Sequence, residues 1–385
     1  MKKKLFLFMG LVVFLMLQLS LPVMAEETGI TVDAKSALLM EPSTGKILYE
    51  KNIHEKLAPA SVTKIMTMLL TMEAIDSGRI KLTDKVVASE NAKNMGGSSM
   101  ILETGEVRTV EELLKGIAIA SGNDAAVAMG EFLSGSEGAF ATDMNARAKA
   151  LGMNDTTFKN CTGLSAPGHV SSAYDIAIMS MELLKHPAIL KYSGTYMETI
   201  TEGRKTPIGL VNHNKLVRFF KGCDGLKTGF TDDAKYCISA TATRDGVRML
   251  SIVVGAPDYK VRNRDASMLL NYGFSRFDHK AIVIKDADMK KVILDKDGKR
   301  FYIAKAKDGV NLIVEKGSIN NITNKQIFLA DKKSYKKGDI VGQWEYYQDG
   351  KLCGKTLLYC DRDIERPGLL DGIKDNFKKL YKNSI

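Results

Sequence analysis

The positions of apolar residues along the chain predict a first folded part that mixes helices and strands. Apolar residues recur every three or four positions over five segments, which is the period of an amphipathic helix. The predicted helices are Ser61–Asp76, Val110–Ala120, Asp124–Leu133, Gly138–Leu151 and Ala173–Lys185.

Strand patterns flank these helices on both sides. Turn residues at Pro42–Gly45 separate two apolar segments, and Arg244–Gly246 separates two more, so each set predicts a β-hairpin. The four strands are Lys35–Met40, Lys46–Glu50, Tyr236–Thr243 and Val247–Gly255. Strands at both ends with helices between them predict an α+β fold, in which one antiparallel sheet is faced by helices.

Beyond Phe277 the helical period disappears, and short β-prone segments alternate with turn signals such as Asp295–Gly298. The segments are Ala281–Ile284, Lys291–Leu294, Phe301–Ile303 and Val310–Val314. This rhythm predicts a small all-β domain, a sandwich or a barrel, over residues 278–362. The mixed part, residues 26–277, is then the first domain.

The last segment, residues 367–385, begins at a Pro367-Gly368 break and returns to a helical period. At about 100° per residue, its apolar residues share one face and its lysines lie outside that face. The apolar residues are Leu369, Leu370, Ile373, Phe377, Leu380 and Tyr381, and the lysines are Lys374, Lys378, Lys379 and Lys382. We predict an amphipathic helix on an anionic membrane surface. Docking on the second domain is the alternative.

The N-terminus has the pattern of an export signal. Lys2–Lys4 precede an apolar run over Leu5–Leu17, and small residues lead to Ala25. The run is shorter than the ~20 residues of a spanning helix, which disfavours a retained transmembrane anchor. We therefore expect residues 1–25 to be a signal peptide and the mature protein to be exported to the outer face of the cytoplasmic membrane.

Composition narrows the function classes. The formal net charge of +10 at pH 7 suits anionic wall polymers or lipid headgroups. No Lys/Arg block with interleaved aromatic residues precedes the C-terminus, so nucleic-acid binding is not expected. Five cysteines without a C-x-x-C pair argue against a zinc site. Cys353 and Cys360 could pair across a hairpin, but free, partly buried thiols are the favoured interpretation.

The first candidate for chemistry is Ser61-Val62-Thr63-Lys64, which follows Pro59 and opens a predicted helix. Residues three apart lie on one helix face, so the Ser61 hydroxyl and the Lys64 amine can meet. A desolvated Lys can have its pKa lowered enough to take the proton of a serine nucleophile. The alternative is that Ser61 only caps the helix.

The second candidate is Ser121-Gly122-Asn123, between two predicted helices. Ser121 could relay a proton from Lys64 to a leaving amine, and Asn123 could bind a substrate amide or orient Lys64. A helix-capping turn is the alternative.

The third candidate is Lys227-Thr228-Gly229. Lys227 and Thr228 present a cation and a hydroxyl suited to a terminal carboxylate, and Gly229 has no Cβ to block a ligand. A backbone N–H beside the ligand could join that of Ser61 in an oxyanion hole. An ordinary strand end is the alternative.

Together, in this order, the three motifs are far more specific than any one of them. With them the chain resembles the low-molecular-mass penicillin-binding proteins, the D-Ala-D-Ala carboxypeptidases of peptidase family S11. Further stretches resemble that family: Ala58–Ser61, Gly97–Met100, Asn160–Leu164, Asp224–Gly229 and Asn271–Phe274. The resemblance implies a penicillin-recognising catalytic domain, a β-rich second domain and a C-terminal membrane-binding helix.

The resemblance also implies a reaction. Ser61 would attack the carbonyl of the penultimate D-Ala of a peptidoglycan stem peptide, with Lys64 and Ser121 moving protons, and β-lactams would acylate Ser61. No metal or organic cofactor is expected.

Two positions depart from the family pattern, Phe230 after Lys-Thr-Gly and His213 within Asn-x-Asn. Arg262 is therefore the best candidate for a further carboxylate-binding cation, with Arg264 second, although either could form a surface salt bridge. His169 is interpreted as a structural hydrogen-bonding residue.

Two other functions would use the same fold. A β-lactamase that deacylates through a Glu-activated water would need a Glu-x-x-x-Asn segment between the second and third motifs, and none is found. A non-catalytic penicillin sensor would not need Ser61, Lys64 and Lys227 intact.

Overall fold

The structure is a computed structural model, and it describes residues 29–365 apart from 202, 204, 205, 296, 318–321, 331, 333 and 349. The predicted signal peptide and the predicted C-terminal helix lie outside the described residues. All elements below belong to the unit Asp33–Ile385.

The strands of the first domain form one large sheet and two small two-stranded sheets. They are β1 (Ser36–Glu41), β2 (Lys46–Lys51), β3 (Lys85–Val87), β4 (Val107–Thr109), β5 (Met197–Ile200), β6 (Ile208–Val211), β7 (Cys223–Thr231), β8 (Lys235–Arg244) and β9 (Val247–Ala256). The large sheet is antiparallel, in the order β2-β1-β9-β8-β7, so β7 is an edge strand. The two-stranded sheets are β3-β4 and β5-β6.

The described part of this domain has nine α-helices, of which five match the predicted ones and four were not predicted, the long last helix among them. They are α1 (Lys64–Asp76), α2 (Glu90–Lys93), α3 (Val110–Ala118), α4 (Asn123–Ser134), α5 (Glu137–Ala150), α6 (Ala173–Leu184), α7 (Ile189–Ser193), α8 (Leu216–Phe219) and α9 (Tyr259–Arg276). The predicted start at Ser61 is wrong for the α-helix, because Ala60–Thr63 form a 3₁₀ turn and the α-helix begins at Lys64.

Helices cover both faces of the sheet. Ser180 of α6 bonds Ser239 of β8 at 2.9 Å, whereas Gly273 of α9 packs against Met249 of β9. Ser239 pairs with Ile252, three residues from Met249, so the two contacts lie on opposite faces. This double cover explains why β9 is buried along nearly its whole length, and it confirms the predicted α+β layers.

Helix α1 is the centre of the helical layer. Its residues from Lys64 to Leu69 are all buried, as are Thr71, Met72 and Ala74. A helix that is buried all round lies inside a core. The first turn of α1 therefore places Lys64 within the protein and not at its surface.

The second domain is all-β, as predicted. Its strands are β10 (Phe277–Val283), β11 (Asp288–Ile293), β12 (Phe301–Ala306), β13 (Val310–Glu315), β14 (Ile322–Phe328), β15 (Ile340–Gln348) and β16 (Lys351–Cys360). Five form the sheet β11-β12-β16-β15-β14, and β10 pairs with β13. Two apolar clusters, one around Tyr302 and Leu358 and one around Leu312 and Tyr346, fill this domain.

All five cysteines are free. Cys353 and Cys360 lie on the same strand, β16, seven residues apart. At about 3.3 Å per residue this separates them by more than about 20 Å, so they cannot form a disulfide. The alternative of a pair across the hairpin is therefore wrong. Within the described part of the chain, no helix is long and apolar enough to cross a membrane.

Candidate active site

Ser61 and Lys64 meet at the start of the central helix. The Lys64 Nζ lies 3.0 Å from the Ser61 Oγ, and it also donates to the Asn123 Oδ1 at 2.5 Å and to the Thr162 carbonyl oxygen at 2.7 Å. Ala60, which precedes Ser61, has a φ of +48° in the left-handed region. The 3₁₀ turn and this backbone conformation hold Ser61 beside the buried amine.

Burial changes the proton affinity of this amine. The Lys64 side chain is fully buried, and burial lowers its pKa from 10.5 to about 7, with the Asp124 carboxylate opposing part of the shift. A Lys with such a pKa is neutral in a large fraction of molecules near neutral pH. It can then accept a proton.

The loop Asn160–Leu164, which lies outside the three motifs but resembles the family, supplies one of the Lys64 partners. The Asn160 Oδ1 accepts hydrogen bonds from the Thr162 and Gly163 N–H groups at 3.2 and 2.7 Å, which fixes the Thr162 carbonyl. A Cβ on Gly163 would lie 1.9 Å from the Ala60 carbonyl oxygen, so glycine allows the loop to pass against the nucleophile turn. The stretch Asn160–Leu164 resembles the family, but that resemblance gave Thr162 no role, because every residue has a backbone carbonyl.

The Ser121–Asn123 segment lies in the turn between α3 and α4. Ser121 has a φ of +61° and is 2% exposed. The Asn123 N–H donates to the Ser98 carbonyl at 2.7 Å, and its Nδ2 donates to the Gly96 carbonyl at 2.6 Å. Because the Asn123 amide nitrogen is held by Gly96, its oxygen is the atom turned toward Lys64.

The neighbouring Asp124 was also missed by the sequence motifs. Its buried carboxylate accepts hydrogen bonds from the Met100 and Leu102 N–H groups, both at 3.0 Å, and from the Ser99 Oγ at 2.6 Å. It thereby fixes the loop whose Gly96 and Ser98 carbonyls hold Asn123. An Asp one residue after the motif reads as a helix-start residue in sequence, which hides this role.

Lys227, Thr228 and Gly229 lie on the free edge strand β7, close to Ser61. A Cβ on Gly229 would lie 2.8 Å from the Ser61 backbone nitrogen. Lys227 and Thr228 are buried, and the Lys227 Nζ donates to the Thr228 carbonyl at 2.8 Å. Burial, together with the charges of Lys64 and Arg262, holds the pKa of Lys227 well below its usual value.

The structure separates the two arginine candidates. Arg262 is buried in the first turns of α9, 6.0 Å from the Tyr236 ring, and its guanidinium bonds the Asn263 Oδ1. It is near enough to Lys227 to lower the pKa of that amine. Arg264 instead forms ion pairs with Asp33 and Asp265 at 2.6 and 2.7 Å. The salt-bridge alternative therefore describes Arg264 and not Arg262.

The two histidines near the motifs differ in environment. His169 is buried, with its Nε2 2.8 Å from the Thr63 Oγ1 and its Nδ1 accepting from the Lys159 N–H at 3.2 Å. Burial, helped by the Lys159 charge, lowers its pKa to about 4, so His169 is a neutral structural residue, as predicted. The His213 side chain is exposed. Partial desolvation and nearby cations, Lys227 first among them, lower its pKa.

Comparison with known proteins assigns this constellation to a family. The model of the D-alanyl-D-alanine carboxypeptidase family matches residues 22–258, which includes all three motifs. The chain belongs to this family. A second model, the C-terminal domain of penicillin-binding protein 5, matches residues 277–366.

Individual proteins with similar sequences or structures support this assignment. This chain is 45% identical over 344 residues to the D-alanyl-D-alanine carboxypeptidase DacF of Bacillus subtilis (strain 168), and the match covers 89% of this chain and 88% of DacF. Penicillin-binding protein 5 from Haemophilus influenzae has a similar structure, with a TM-score of 0.74 at 28% identity over 88% of this chain and 99% of that one. Penicillin-binding protein D2 from Listeria monocytogenes, in its ampicillin-bound form, matches with a TM-score of 0.58 at 33% identity, over 64% of this chain and 99% of that one.

The protein is thus a serine-type D-alanyl-D-alanine carboxypeptidase, a hydrolase of the penicillin-binding protein group. This sets aside the β-lactamase and the non-catalytic sensor. Among the described residues, no group of three or more His, Cys, Asp or Glu side chains is arranged to hold a metal ion.

Proposed function

We propose that the enzyme removes the terminal D-Ala from peptidoglycan stem peptides through an acyl-enzyme on Ser61. The observation that supports this most strongly is the 3.0 Å approach of the Lys64 amine to the Ser61 hydroxyl, with the pKa of Lys64 lowered to about 7. A serine becomes a nucleophile when an adjacent base takes its proton.

The partners of Lys64 decide which way its lone pair points. A neutral amine keeps two N–H donors and one lone pair. The Asn123 amide oxygen and the Thr162 carbonyl oxygen can only accept, so they take the two N–H groups. The lone pair is left for the Ser61 O–H. Asn123 therefore orients the base, in addition to any contact with a substrate amide.

The substrate carboxylate would be bound at Lys227, Thr228 and Arg262. Lys227 and Thr228 directly precede Gly229, which lies against the nucleophile turn, and Arg262 is near enough to lower the pKa of Lys227. The pKa of Lys227 is low in the empty site, and an incoming carboxylate supplies the opposite charge that favours its protonated form. Gly229 lets the substrate carbonyl approach the Ser61 N–H, which we assign to the oxyanion hole.

During acyl transfer, the proton of Ser61 moves to Lys64 and then to the leaving amine. The Ser61 Oγ attacks the carbonyl carbon of the penultimate D-Ala, and its proton passes to Lys64. When the C–N bond breaks, the departing D-Ala nitrogen takes that proton, with Ser121 as the relay. Water hydrolyses the ester on Ser61 and releases the shortened peptide. A β-lactam would form an ester on the same oxygen and remain longer.

The test is D-Ala release from diacetyl-Lys-D-Ala-D-Ala. The wild-type enzyme should release D-Ala and bind a fluorescent penicillin covalently, and Ser61→Ala should do neither while retaining the folded circular dichroism spectrum. D-Ala release that persists in Ser61→Ala would contradict the proposal.

We also propose that the enzyme is exported and peripheral to the membrane. Residues 1–25 would be the signal peptide, residues 26–277 the catalytic domain and residues 278–362 the β-rich domain. Residues 367–385 would attach the protein to the outer face of the cytoplasmic membrane. The charge pattern of both termini supports this arrangement.

A further inference from the structure

The side chains of strand β7 alternate between the two faces of the large sheet. Ser239, the partner of Lys227 on β8, bonds helix α6, and opposite residues of an antiparallel pair share a face. Lys227 and Gly229 therefore face the helical layer. Thr228 and Phe230 face the other side, toward helix α9. The side on which Thr228 would meet a substrate carboxylate thus also carries Phe230.

Phe230 is one end of a continuous aromatic surface on that side. Its ring centroid lies 4.4 Å from that of Tyr236, which in turn lies 6.4 Å from that of Tyr259 at the start of α9. Phe230 and Tyr259 are 48% and 52% exposed, although the five residues of β7 before Phe230 are buried. The Arg262 guanidinium lies 6.0 Å from the Tyr236 ring. The surface therefore offers a cation and an exposed apolar ring near each other.

The proposed substrate position puts the C-terminal residue of the peptide beside this ring. Its carboxylate would lie at Thr228 and Arg262, and the scissile carbonyl would lie at the Ser61 N–H, beside Gly229. The Cα between them is within about one residue length, roughly 3.4 Å, of either group. Toward the helical layer the nucleophile turn fills the space, since a Cβ on Gly229 would lie 2.8 Å from the Ser61 nitrogen. A side chain on that Cα finds its room on the Phe230 side.

We propose that Phe230 contacts the side chain of the C-terminal D-residue, and that the enzyme releases apolar D-amino acids larger than alanine. The ring is half-exposed, so a longer side chain can extend along it, and contact removes apolar area of both groups from water. The chemistry is unchanged, because water still hydrolyses the ester on Ser61 and the D-residue leaves as the free amino acid.

The residue at this position departs from the family pattern, which often has His after Lys-Thr-Gly. A phenyl ring offers more apolar area than an imidazole, and it carries no hydrogen-bonding group for a carboxylate. The preference is therefore expected from Phe230 of this chain. The inference rests on the proposed function, because it uses the proposed positions of the substrate carboxylate and carbonyl.

The experiment compares diacetyl-Lys-D-Ala-D-Leu with diacetyl-Lys-D-Ala-D-Ala, with the released amino acid measured by chromatography. A methylene group enclosed in a pocket can change kcat/KM more than ten-fold, and a half-exposed ring should contribute less. The wild-type kcat/KM for the D-Leu peptide should therefore be about two- to ten-fold above that for the D-Ala peptide. Phe230→Ala should bring this ratio to one or below, and Phe230→Leu, which keeps an apolar side chain, should retain most of it.

Phe219→Ala is the matched control, because Phe219 is also exposed but packs edge-on against Tyr196 on helix α8. It should keep the wild-type ratio. A wild-type ratio of one or below, a ratio that survives in Phe230→Ala, or an equal loss in Phe219→Ala would overturn the inference. Release of D-Ala from the D-Ala peptide tests the proposed function separately. If neither peptide is hydrolysed by the wild type, both proposals fail.

Discussion

The Lys64 Nζ lies 3.0 Å from the Ser61 Oγ, and its two other partners, Asn123 and Thr162, offer only acceptor oxygens. Burial lowers the pKa of this amine to about 7. The lowered pKa makes the neutral amine available, and the neutral amine has one lone pair. Of its three partners, only the Ser61 hydroxyl can donate a proton to that lone pair. The same arrangement would be inert with a protonated Lys64.

The acylation rate should therefore depend on pH through Lys64. Its charged form is disfavoured by burial, so the neutral base is abundant above pH 7 and falls roughly tenfold per pH unit below it. We expect the second-order rate constant for penicillin acylation to rise with an apparent pKa near 7 and then level off. Stopped-flow measurement between about pH 5 and pH 9 checks this. A rate that still rises tenfold per pH unit up to pH 9 would contradict a base whose pKa is lowered to about 7.

Changing Lys227 to Ala should affect substrates according to their charge. A free-acid peptide loses a charge-assisted hydrogen bond worth roughly 1.5–3 kcal/mol, whereas its C-terminal amide does not. The kcat/KM of the free acid should fall about ten- to a hundred-fold relative to the amide. Arg262→Ala should shift the same ratio in the same direction. Arg264→Ala is the control, since Arg264 is paired with Asp33 and Asp265, and equal losses on acid and amide in Lys227→Ala would indicate a purely structural lysine.

Changing Gly229 to Ala should slow penicillin acylation while the protein still folds. In Gly229→Ala the added carbon would lie 2.8 Å from the Ser61 nitrogen, so the nucleophile turn or strand β7 must move. A displacement of this kind can cost about a hundred-fold in rate. Gly209→Ala is the matched control, because its Cβ would meet no atom within 4 Å. Penicillin acylation rates and thermal melting of both variants check this, and a normal rate in Gly229→Ala would mean that the approach is not needed.

The sequence was sufficient for much of the fold because the patterns were local. The β1–β2 and β8–β9 hairpins followed from turn residues between apolar segments, and the Ser61–Lys64 contact followed from a spacing of three residues. The contributions of Thr162 and Asp124 depend on loops that are distant in sequence and on backbone atoms that every residue has. The alternative pairing of Cys353 with Cys360 was left open because the position of the turn was not recognised. The hairpin turn lies between Gln348 and Lys351, before both cysteines, so both lie on the same strand.

The predicted membrane helix has its own test. Deleting residues 367–385 should release the enzyme from anionic vesicles without reducing D-Ala release from soluble peptide, because each lysine near the surface adds about 1 kcal/mol of attraction. Vesicle sedimentation and D-Ala release are measured together. Sedimentation of the truncated protein at the wild-type level, or its unfolding, would assign the segment to another role.

The residue that penicillin acylates can be identified by mass. Full-length enzyme is labelled with penicillin, digested with trypsin and analysed by mass spectrometry for the peptide that gains the mass of the drug. We predict the adduct on Ser61, within the peptide Leu57–Lys64. An adduct on the peptide that contains Ser121, or none on Leu57–Lys64 while the protein is labelled, would contradict it.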